Sequence, residues 1–205
     1  MLAKVMIIFK SLPILICCMF IGQILQAQPD WEIDMQENGI TVYTRYEENS
    51  AFKAFKATIT VKATIDEVLS ILRKAEDYIE WYGYTRTSKV LKQEKNVQYN
   101  YVETIFPWPY SNRDMVYKMT IDKSDPEEVI ISLDGLPDYL PVKEGLVRME
   151  KASGIIQLKT FNEYTKLTYQ FHSEPGKNLP IWLANTSIAL LPYKTLLGLK
   201  NVVEN

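Results

Sequence analysis

An unbroken series of strand patterns between Tyr84 and His172 limits the fold of this chain more than any other feature. Six segments in that range are either apolar or alternate apolar with polar residues, which is typical of β-sheet. They cover about 84–92, 97–106, 114–122, 127–133, 145–158 and 164–172. Turn signals such as Lys95-Asn96 and Asp134-Gly135 separate them. The sequence therefore predicts a long antiparallel sheet.

Three further strands and a helical region precede this series. The three strands cover about 31–35, 40–46 and 52–61. Asn38-Gly39 lies between the first two and supplies the positive φ angles that a tight hairpin turn needs. Thr64 and Glu67 have the spacing of a capping box, so a helix is expected to begin there. The helical region is expected to end near Gly83.

The C-terminal segment predicts one long amphipathic helix. From Asn178, which we expect to cap it, to about Val203, apolar residues recur at spacings of three and four. Pro192 lies inside this range and predicts a kink, because proline removes a backbone hydrogen bond. A long antiparallel sheet curls, and a helix of this kind can cover its concave face. The covered space is either a ligand cavity or a filled core.

The first 27 residues have the pattern of a secretory signal peptide. Lys4 and Lys10 precede an apolar run, and Ala27 stands at a plausible cleavage point. The uncharged run is shorter than the ~20 residues that a membrane span needs. We therefore expect residues 1–27 to be removed, and residues 28–205 to form one secreted or periplasmic domain.

Charge and cysteine content narrow the function of the expected mature chain. Without its two N-terminal lysines it has 21 basic and 25 acidic side chains, a net charge of −4. Nucleic-acid binding favours a basic excess, so no nucleic-acid partner is expected. Cys17 and Cys18 both lie in the predicted signal peptide, which leaves no disulfide and no cysteine metal ligand in residues 28–205.

The stretch PWPYSNRD, between two predicted strands, suits neither a strand nor a helix. Pro107 and Pro109 stiffen the loop on both sides of Trp108. This places the indole either against the C-terminal helix or toward a membrane surface, and both positions stay open. Arg113 and Asp114 follow at the start of the next strand, where an Arg-Asp pair can hold the loop in place.

Few residues indicate catalysis or a bound metal, and no cofactor is expected. His172 is the only histidine, and the isolated glycines form no phosphate-binding loop. Glu103 and Arg148 are more informative, because each lies inside an apolar strand. On the outer face they would be ordinary solvated charges. On the inner face they would be the polar anchors of an apolar pocket.

Four sets of residues together resemble the START domains, the lipid-transfer domains related to the steroidogenic acute regulatory protein. They occur in the family's order: Trp31…Gly39-Ile40…Val42-Tyr43-Thr44-Arg45; Pro109…Arg113-Asp114; Val147-Arg148; and Gly176…Leu179-Pro180-Ile181-Trp182…Asn185. Some sterol-binding members carry a second arginine where this chain has Met119, so sterol specificity is not implied. Glu103 roughly aligns with the acidic cavity residue of those members.

The resemblance implies an α+β helix-grip fold of the kind found in secreted bacterial members. In this fold a curved antiparallel sheet of about nine strands wraps around a long C-terminal helix, with two short helices after the third strand. The loop from Phe106 to Arg113 would gate a tunnel for one lipid-like molecule. The expected gate or structural residues are Pro107, Pro109, Arg113 and Asp114. The expected ligand-binding residues are Arg148, Glu103, Trp108, Tyr117, Met119, Trp182, Asn185, Ile188 and Ala189.

The sequence therefore predicts a monomeric protein that binds a lipid or another apolar molecule and contacts a membrane transiently. An alternative is a helix-grip enzyme, cyclase-like or hydrolase-like, that acts on an apolar substrate in the same cavity. Its candidate acids and bases are Glu103, Tyr101 and His172. A third hypothesis is a filled core that serves as a structural or partner-binding module, which a cavity below ~300 Å³ would favour.

Overall fold

The computed structural model describes residues 30–204. The predicted signal peptide, its cleavage point and both cysteines lie outside the described residues. The strands are β1 (Glu32–Glu37), β2 (Ile40–Tyr46), β3 (Lys53–Val61), β4 (Thr85–Gln93), β5 (Val97–Thr104), β6 (Arg113–Asp125), β7 (Glu128–Gly135), β8 (Val147–Arg148), β9 (Lys151–Phe161) and β10 (Tyr164–Glu174). The helices are α1 (Ile65–Arg73), α2 (Tyr78–Trp81), α3 (Ile181–Ser187) and α4 (Leu190–Val203), and a 3₁₀ turn, Ala75–Asp77, joins α1 to α2.

All the strands belong to one sheet. Its order is β1-β2-β3-β10-β9-β7-β6-β5-β4, and every neighbouring pair on this path is antiparallel. The two residues of β8 instead pair in parallel with the start of β6. The predicted fold class is confirmed: an antiparallel sheet, two short helices after the third strand and a long C-terminal helix.

The first hairpin turn and the cap of helix α1 form where the sequence predicts them. Asn38 and Gly39 have φ angles of 51° and 77°, and they connect β1 to β2 as a tight hairpin. At the start of α1 the Thr64 hydroxyl accepts a hydrogen bond from the Glu67 amide, and the Glu67 carboxylate accepts one from the Thr64 amide. The capping box forms because the first amides of a helix have no partner within the helix, and these two side chains supply one.

The predicted strand 145–158 is two separate elements. Val147 and Arg148 pair with β6, and after Met149 and Glu150 the chain joins the sheet again as β9, between β7 and β10. The break has a physical reason, because the side chain of Arg148 is held by a buried carboxylate on β6 and by loop carbonyls. A straight strand from 145 to 158 could not satisfy those contacts and the β7–β9 pairing together.

The C-terminal helical region differs from the prediction at its start but is interrupted near Pro192 as predicted. Pro180, not Asn178, precedes the first helical residue, and Asn178 has a φ angle of 65° that no helix interior allows. The helix is interrupted at Ile188 and Ala189, between α3 and α4. Pro192 has no N–H to donate to the carbonyl of Ile188, four residues earlier, so the interruption occurs where proline removes a backbone hydrogen bond, as the sequence predicts.

Helix α4 lies across the concave face of the sheet near its β2–β3 side. It contacts β2, β3, α1 and α2. Gly198 is required where α4 crosses α2, because a Cβ there would lie 2.1 Å from the Trp81 carbonyl oxygen. Asn38 in the first hairpin donates a 2.6 Å hydrogen bond to the Tyr193 hydroxyl of the same helix. Between residues 30 and 204, no helix has the length and apolar character to cross a bilayer.

Candidate functional site

A cavity of about 500 Å³ lies between the inner face of the sheet and the helices α2, α3 and α4. This volume lies within the ~300–1,000 Å³ of small-molecule sites, so the hypothesis of a filled core is not supported. Residues two apart on a strand lie on the same face of the sheet, so every second side chain of a strand contributes to the cavity wall. The wall is largely apolar: Phe55, Leu72, Val102, Met115, Met119, Leu133, Met149, Ile156, Phe171, Leu179, Leu183, Ile188 and Leu191 all line it.

The main polar feature of the cavity is a group of four tyrosines, which we call the phenol cluster: Tyr78, Tyr82, Tyr117 and Tyr169. The hydroxyls of Tyr82 and Tyr169 are 2.7 Å apart, and the Tyr78 hydroxyl donates to the carbonyl of Leu72. The Tyr78 and Tyr82 rings stack with centroids 5.0 Å apart. Burial raises the pKa of all four phenols, that of Tyr82 to about 12, so they are neutral hydrogen-bonding groups at physiological pH.

Charge is nearly absent from the cavity wall. Among the described residues that line it, only Lys53 is charged. Its ammonium lies 3.4 Å from the Thr44 hydroxyl and 5.2 Å from the centroid of the Tyr46 ring, which is half exposed. The charge therefore lies where β2 ends and β3 begins, beside a half-exposed ring. No group of three or more potential metal ligands occurs within residues 30–204.

Helix α3 forms the outer wall of the cavity, and Asn185 ties it to the β2–β3 connection. The Asn185 Oδ1 accepts a 3.0 Å hydrogen bond from the Lys53 amide, and its Nδ2 donates a 3.0 Å bond to the Ala51 carbonyl. None of the seven residues of α3 is fully buried. Asn185 and Ile188 line the cavity, as do Tyr117 and Met119. The structure thus brings four of the predicted ligand-binding residues to one cavity, while their contact with a ligand stays a prediction.

Arg148 does not line the cavity, contrary to its predicted role as a ligand anchor. Its guanidinium forms a bidentate ion pair with Asp114, with Nε–Oδ1 and Nη2–Oδ2 distances of 2.8 and 2.9 Å. It also donates to the carbonyls of Pro137, Leu140 and Pro141. The hydrogen bonds to the Asp114 carboxylate raise the pKa of Arg148. This buried pair joins the long 136–146 connection to β6, which is a structural role.

Arg113 and Asp114 do not pair with each other. Arg113 donates to the carbonyls of Pro175 and Lys177, which precede α3, at 3.2 and 3.3 Å. It also donates to the Ser111 carbonyl, and its guanidinium carbon lies 4.4 Å from the centroid of the Phe106 ring. Arg113 therefore joins the β5–β6 loop to the segment before α3.

Strand alternation explains why Glu103 and Arg148 face away from the cavity. Val102 and Thr104 line the cavity on either side of Glu103, and Met149 lines it next to Arg148. Neighbouring residues on a strand point to opposite faces. Glu103 instead accepts a 3.0 Å hydrogen bond from Asn112 and lies 3.6 Å from a guanidinium nitrogen of Arg86. Glu103, like Arg148, is therefore not on the cavity wall, and no observation supports its predicted contact with a ligand.

The two predicted tryptophans lie on the rim outside the cavity. Trp108 is 92 % exposed and Trp182 is 67 % exposed, so neither lines the cavity, although Pro107 and Leu183 beside them do. Trp108 therefore points outward, and not against the C-terminal helix. Pro109, which follows Trp108 through a cis peptide bond, is also exposed. Ala189 is buried in the core and does not line the cavity.

The acid and base candidates of the enzyme hypothesis lie outside the cavity wall. Tyr101, Glu103 and His172 are absent from it. His172 follows the lining residue Phe171 and bonds to the hydroxyl of Ser50 at 3.2 Å. Burial and the neighbouring Asp114 carboxylate raise the pKa of the Tyr101 hydroxyl. No observation therefore favours the enzyme over the binding protein.

The phenol cluster is the part of the site that sequence reasoning missed, except for Tyr117. Tyr82 and Tyr169 are 87 positions apart, so no local motif connects them. One signal was present: Leu167, Tyr169 and Phe171 share a face of β10, and all three are buried. The same alternation that placed Tyr117 and Met119 inside would have placed Tyr169 there too.

Comparisons with known proteins agree with this architecture. The family model described as "START domain" matches residues 17–194. An uncharacterised protein of Pseudomonas aeruginosa is 31% identical over 176 residues, which is 85% of this chain and 87% of that protein. The mouse phosphatidylcholine transfer protein is 23% identical over 164 residues, 76% of this chain and 75% of that protein.

This chain also resembles a solved structure in three dimensions. The fragment 25–204 of a STAR-related lipid transfer protein from Xanthomonas axonopodis superposes with a TM-score of 0.81 at 34% sequence identity. The match covers 85% of this chain and 99% of that fragment. Both the family model, which spans most of the sequence, and this relative lead to the same conclusion. The chain belongs to the START domain family.

Proposed function

We propose that this protein binds one lipid or another apolar small molecule in the cavity between the sheet and the C-terminal helices, for transfer or sequestration. The single observation that carries the proposal is the apolar cavity of about 500 Å³. Each methylene group that leaves water for such a wall contributes ~0.8 kcal/mol. The names of two relatives, a STAR-related lipid transfer protein and a phosphatidylcholine transfer protein, support the same class of ligand.

Mass spectrometry of organic extracts from natively purified protein tests this proposal. We expect a lipid in near-stoichiometric amount with the wild type. Ala184 lines the cavity from α3, so Ala184→Phe should lower the recovered amount several-fold by filling space. Thr186 is exposed on the same helix, and Thr186→Phe is the matched control. Recovery of no lipid from the wild type, with no binding to a lipid panel, would refute the proposal.

We propose further that the rim around Trp108 and Trp182 contacts a membrane transiently while the ligand enters or leaves. Both indoles are exposed beside residues that line the cavity, and indole rings favour the membrane interface. In flotation assays with zwitterionic vesicles, the double variant Trp108→Ala and Trp182→Ala should bind less than the wild type. Replacing the exposed Phe161, on β9, with alanine is the control. Equal flotation of all three proteins would contradict this contact.

The location and assembly state of the protein are part of the same proposal. A signal peptide ending near Ala27 would deliver residues 28–205 as a secreted or periplasmic monomer. N-terminal sequencing of protein recovered from cell fractions tests the cleavage, with Gln28 expected as the first residue. Analytical ultracentrifugation tests the monomer. An uncleaved N-terminus in the cytoplasmic fraction would contradict the location.

A further inference from the structure

The polar atoms of the cavity wall are not spread evenly, and the phenol cluster lies far from the rim. Tyr117 is four residues along β6 from Arg113, about 13 Å at ~3.3 Å per residue. Tyr169 is six residues before Pro175, which is about 20 Å along the chain by the same rise. Strand β6 begins and β10 ends near the rim, where the β5–β6 loop meets the segment before α3. The phenols therefore occupy the inner end of the cavity.

We infer that the hydroxyls of Tyr82 and Tyr169 bind an uncharged hydroxyl or carbonyl group at the inner end of an apolar ligand. This inference rests on the proposed lipid-binding function and specifies the chemistry of the ligand. It assigns the selective contact to the phenol cluster, and not to the arginine and glutamate that the sequence had suggested.

Counting donors and acceptors supports the inference. The Tyr78 hydroxyl already donates to the Leu72 carbonyl, so its proton is used. Within the 2.7 Å pair of Tyr82 and Tyr169, one hydroxyl donates and the other accepts. A phenol has one proton and two lone pairs, so the accepting hydroxyl keeps a proton of its own. That proton can be donated to a ligand oxygen, and the remaining lone pairs can accept from a ligand hydroxyl.

The electrostatic character of the wall excludes a charged group at this end. Lys53, the one charged residue among the described lining residues, holds its ammonium near the half-exposed Tyr46, where β2 ends and β3 begins. A carboxylate, phosphate or ammonium beside the phenols would be buried with no counter-charge, which is costly. The raised pKa values of the phenols keep them neutral, so they cannot provide that charge. An uncharged hydrogen-bonding group has no such cost.

A series of ligands with the same hydrocarbon chain tests the inference. The delipidated protein is loaded with the neutral fluorescent probe N-phenyl-1-naphthylamine and titrated with hexadecane, hexadecanol, palmitate or hexadecyltrimethylammonium. We expect hexadecanol to displace the probe at a concentration about fivefold to tenfold lower than the other three, the effect of one or two net hydrogen bonds. The double variant Tyr82→Phe with Tyr169→Phe should lose this preference while it keeps its affinity for hexadecane.

Tyr84 provides a matched control, because it also lines the cavity but lies outside the phenol cluster. Tyr84→Phe should keep the preference for hexadecanol, and thermal unfolding confirms that each variant is folded. If no ligand displaces the probe and none binds directly, the proposed function itself fails. If the ligands bind but a charged one binds as tightly as hexadecanol, only the inference fails. It also fails if the double variant keeps the preference.

The same competition distinguishes two lipids that carry such a hydroxyl. Cholesterol offers a hydroxyl on a rigid ring system, and dioleoylglycerol offers one on an acylated glycerol. Displacement by either lipid that weakens in the Tyr82→Phe, Tyr169→Phe variant supports the inference and identifies the source of the hydroxyl. Displacement by phosphatidylcholine, unchanged in that variant, would overturn it in favour of a choline group held by the aromatic rings.

Discussion

Breaking the ion pair between Arg148 and Asp114 should destabilise the protein without changing its ligand preference. Asp114 is fully buried, and Arg148 is its bidentate partner. Arg148→Leu would leave the carboxylate buried without a counter-charge, which costs ~3–5 kcal/mol in such pairs. The carbonyls of Pro137 and Leu140 would also lose their donor. Against a total stability of ~5–15 kcal/mol, this is a large part of the free energy of unfolding.

Thermal unfolding followed by circular dichroism measures this loss. A domain of this size loses ~2–4 °C in melting temperature per kcal/mol, so Arg148→Leu should unfold about 6–20 °C below the wild type. The double variant with Asp114→Leu should recover part of the loss, because no charge then stays buried. Lys151→Ala, which removes an exposed ion pair with Glu174, should change the stability by less than ~1 kcal/mol.

One result would refute this reasoning. If Arg148→Leu unfolds at the wild-type temperature but binds hexadecanol or extracted lipid more weakly, then Arg148 contacts the ligand, as the sequence had suggested. A double variant with the summed loss of both single variants would also show that the two side chains do not interact.

Three other perturbations test separate parts of the structure. Gly198→Ala should lower the free energy of unfolding by ~1–3 kcal/mol in urea titrations, because its Cβ would lie 2.1 Å from the Trp81 carbonyl oxygen. Asn185→Ala should speed lipid exchange between vesicles several-fold by releasing α3 from the β2–β3 connection, whereas Thr186→Ala should not. The free energy of unfolding should fall as the pH rises from ~10, the pKa of tyrosine in the unfolded chain, to about 12, the pKa of Tyr82 in the folded protein. In this range the phenol loses its proton in the unfolded chain first, which favours unfolding.

Each of these expectations has a contrary outcome. A Gly198→Ala protein as stable as the wild type would mean that α4 can shift away from α2 at no cost. Unchanged exchange in Asn185→Ala would mean that α3 does not control entry. A Tyr82→Phe variant with the same loss of stability between pH 10 and 12 would assign that loss to other tyrosines.

The sequence predicts the fold well because its signals are local. Asn38-Gly39, the Thr64 capping box and the alternation of β3 each depend on neighbouring backbone groups, and each appears where expected. The break between α3 and α4 at Ile188 and Ala189 is local in the same way, because Pro192 has no N–H to donate to the Ile188 carbonyl.

The site is predicted less well because its polar groups come together only in the folded sheet. A charge within an apolar strand suggested an anchor, yet Glu103 and Arg148 are one residue out of phase with the lining face. Their apolar neighbours contain this information, since Val102 and Met149 occupy the inner positions. The contact between Tyr82 and Tyr169 joins segments 87 positions apart, so it depends on the register of the sheet.

The hydrogen bonds that hold the two sides of the cavity rim differ in strength, and this difference determines on which side a ligand should pass. Arg113 ties the β5–β6 loop to the segment before α3 through charge-assisted hydrogen bonds to the carbonyls of Pro175 and Lys177. On the opposite side, Asn185 ties α3 to Ala51 and Lys53 with two neutral hydrogen bonds. Charge-assisted hydrogen bonds are roughly twice as strong as neutral ones, so the side held by Asn185 separates first. A ligand should therefore leave past Phe52 and α3, while the loop that carries Trp108 stays in place as the fixed margin of the opening.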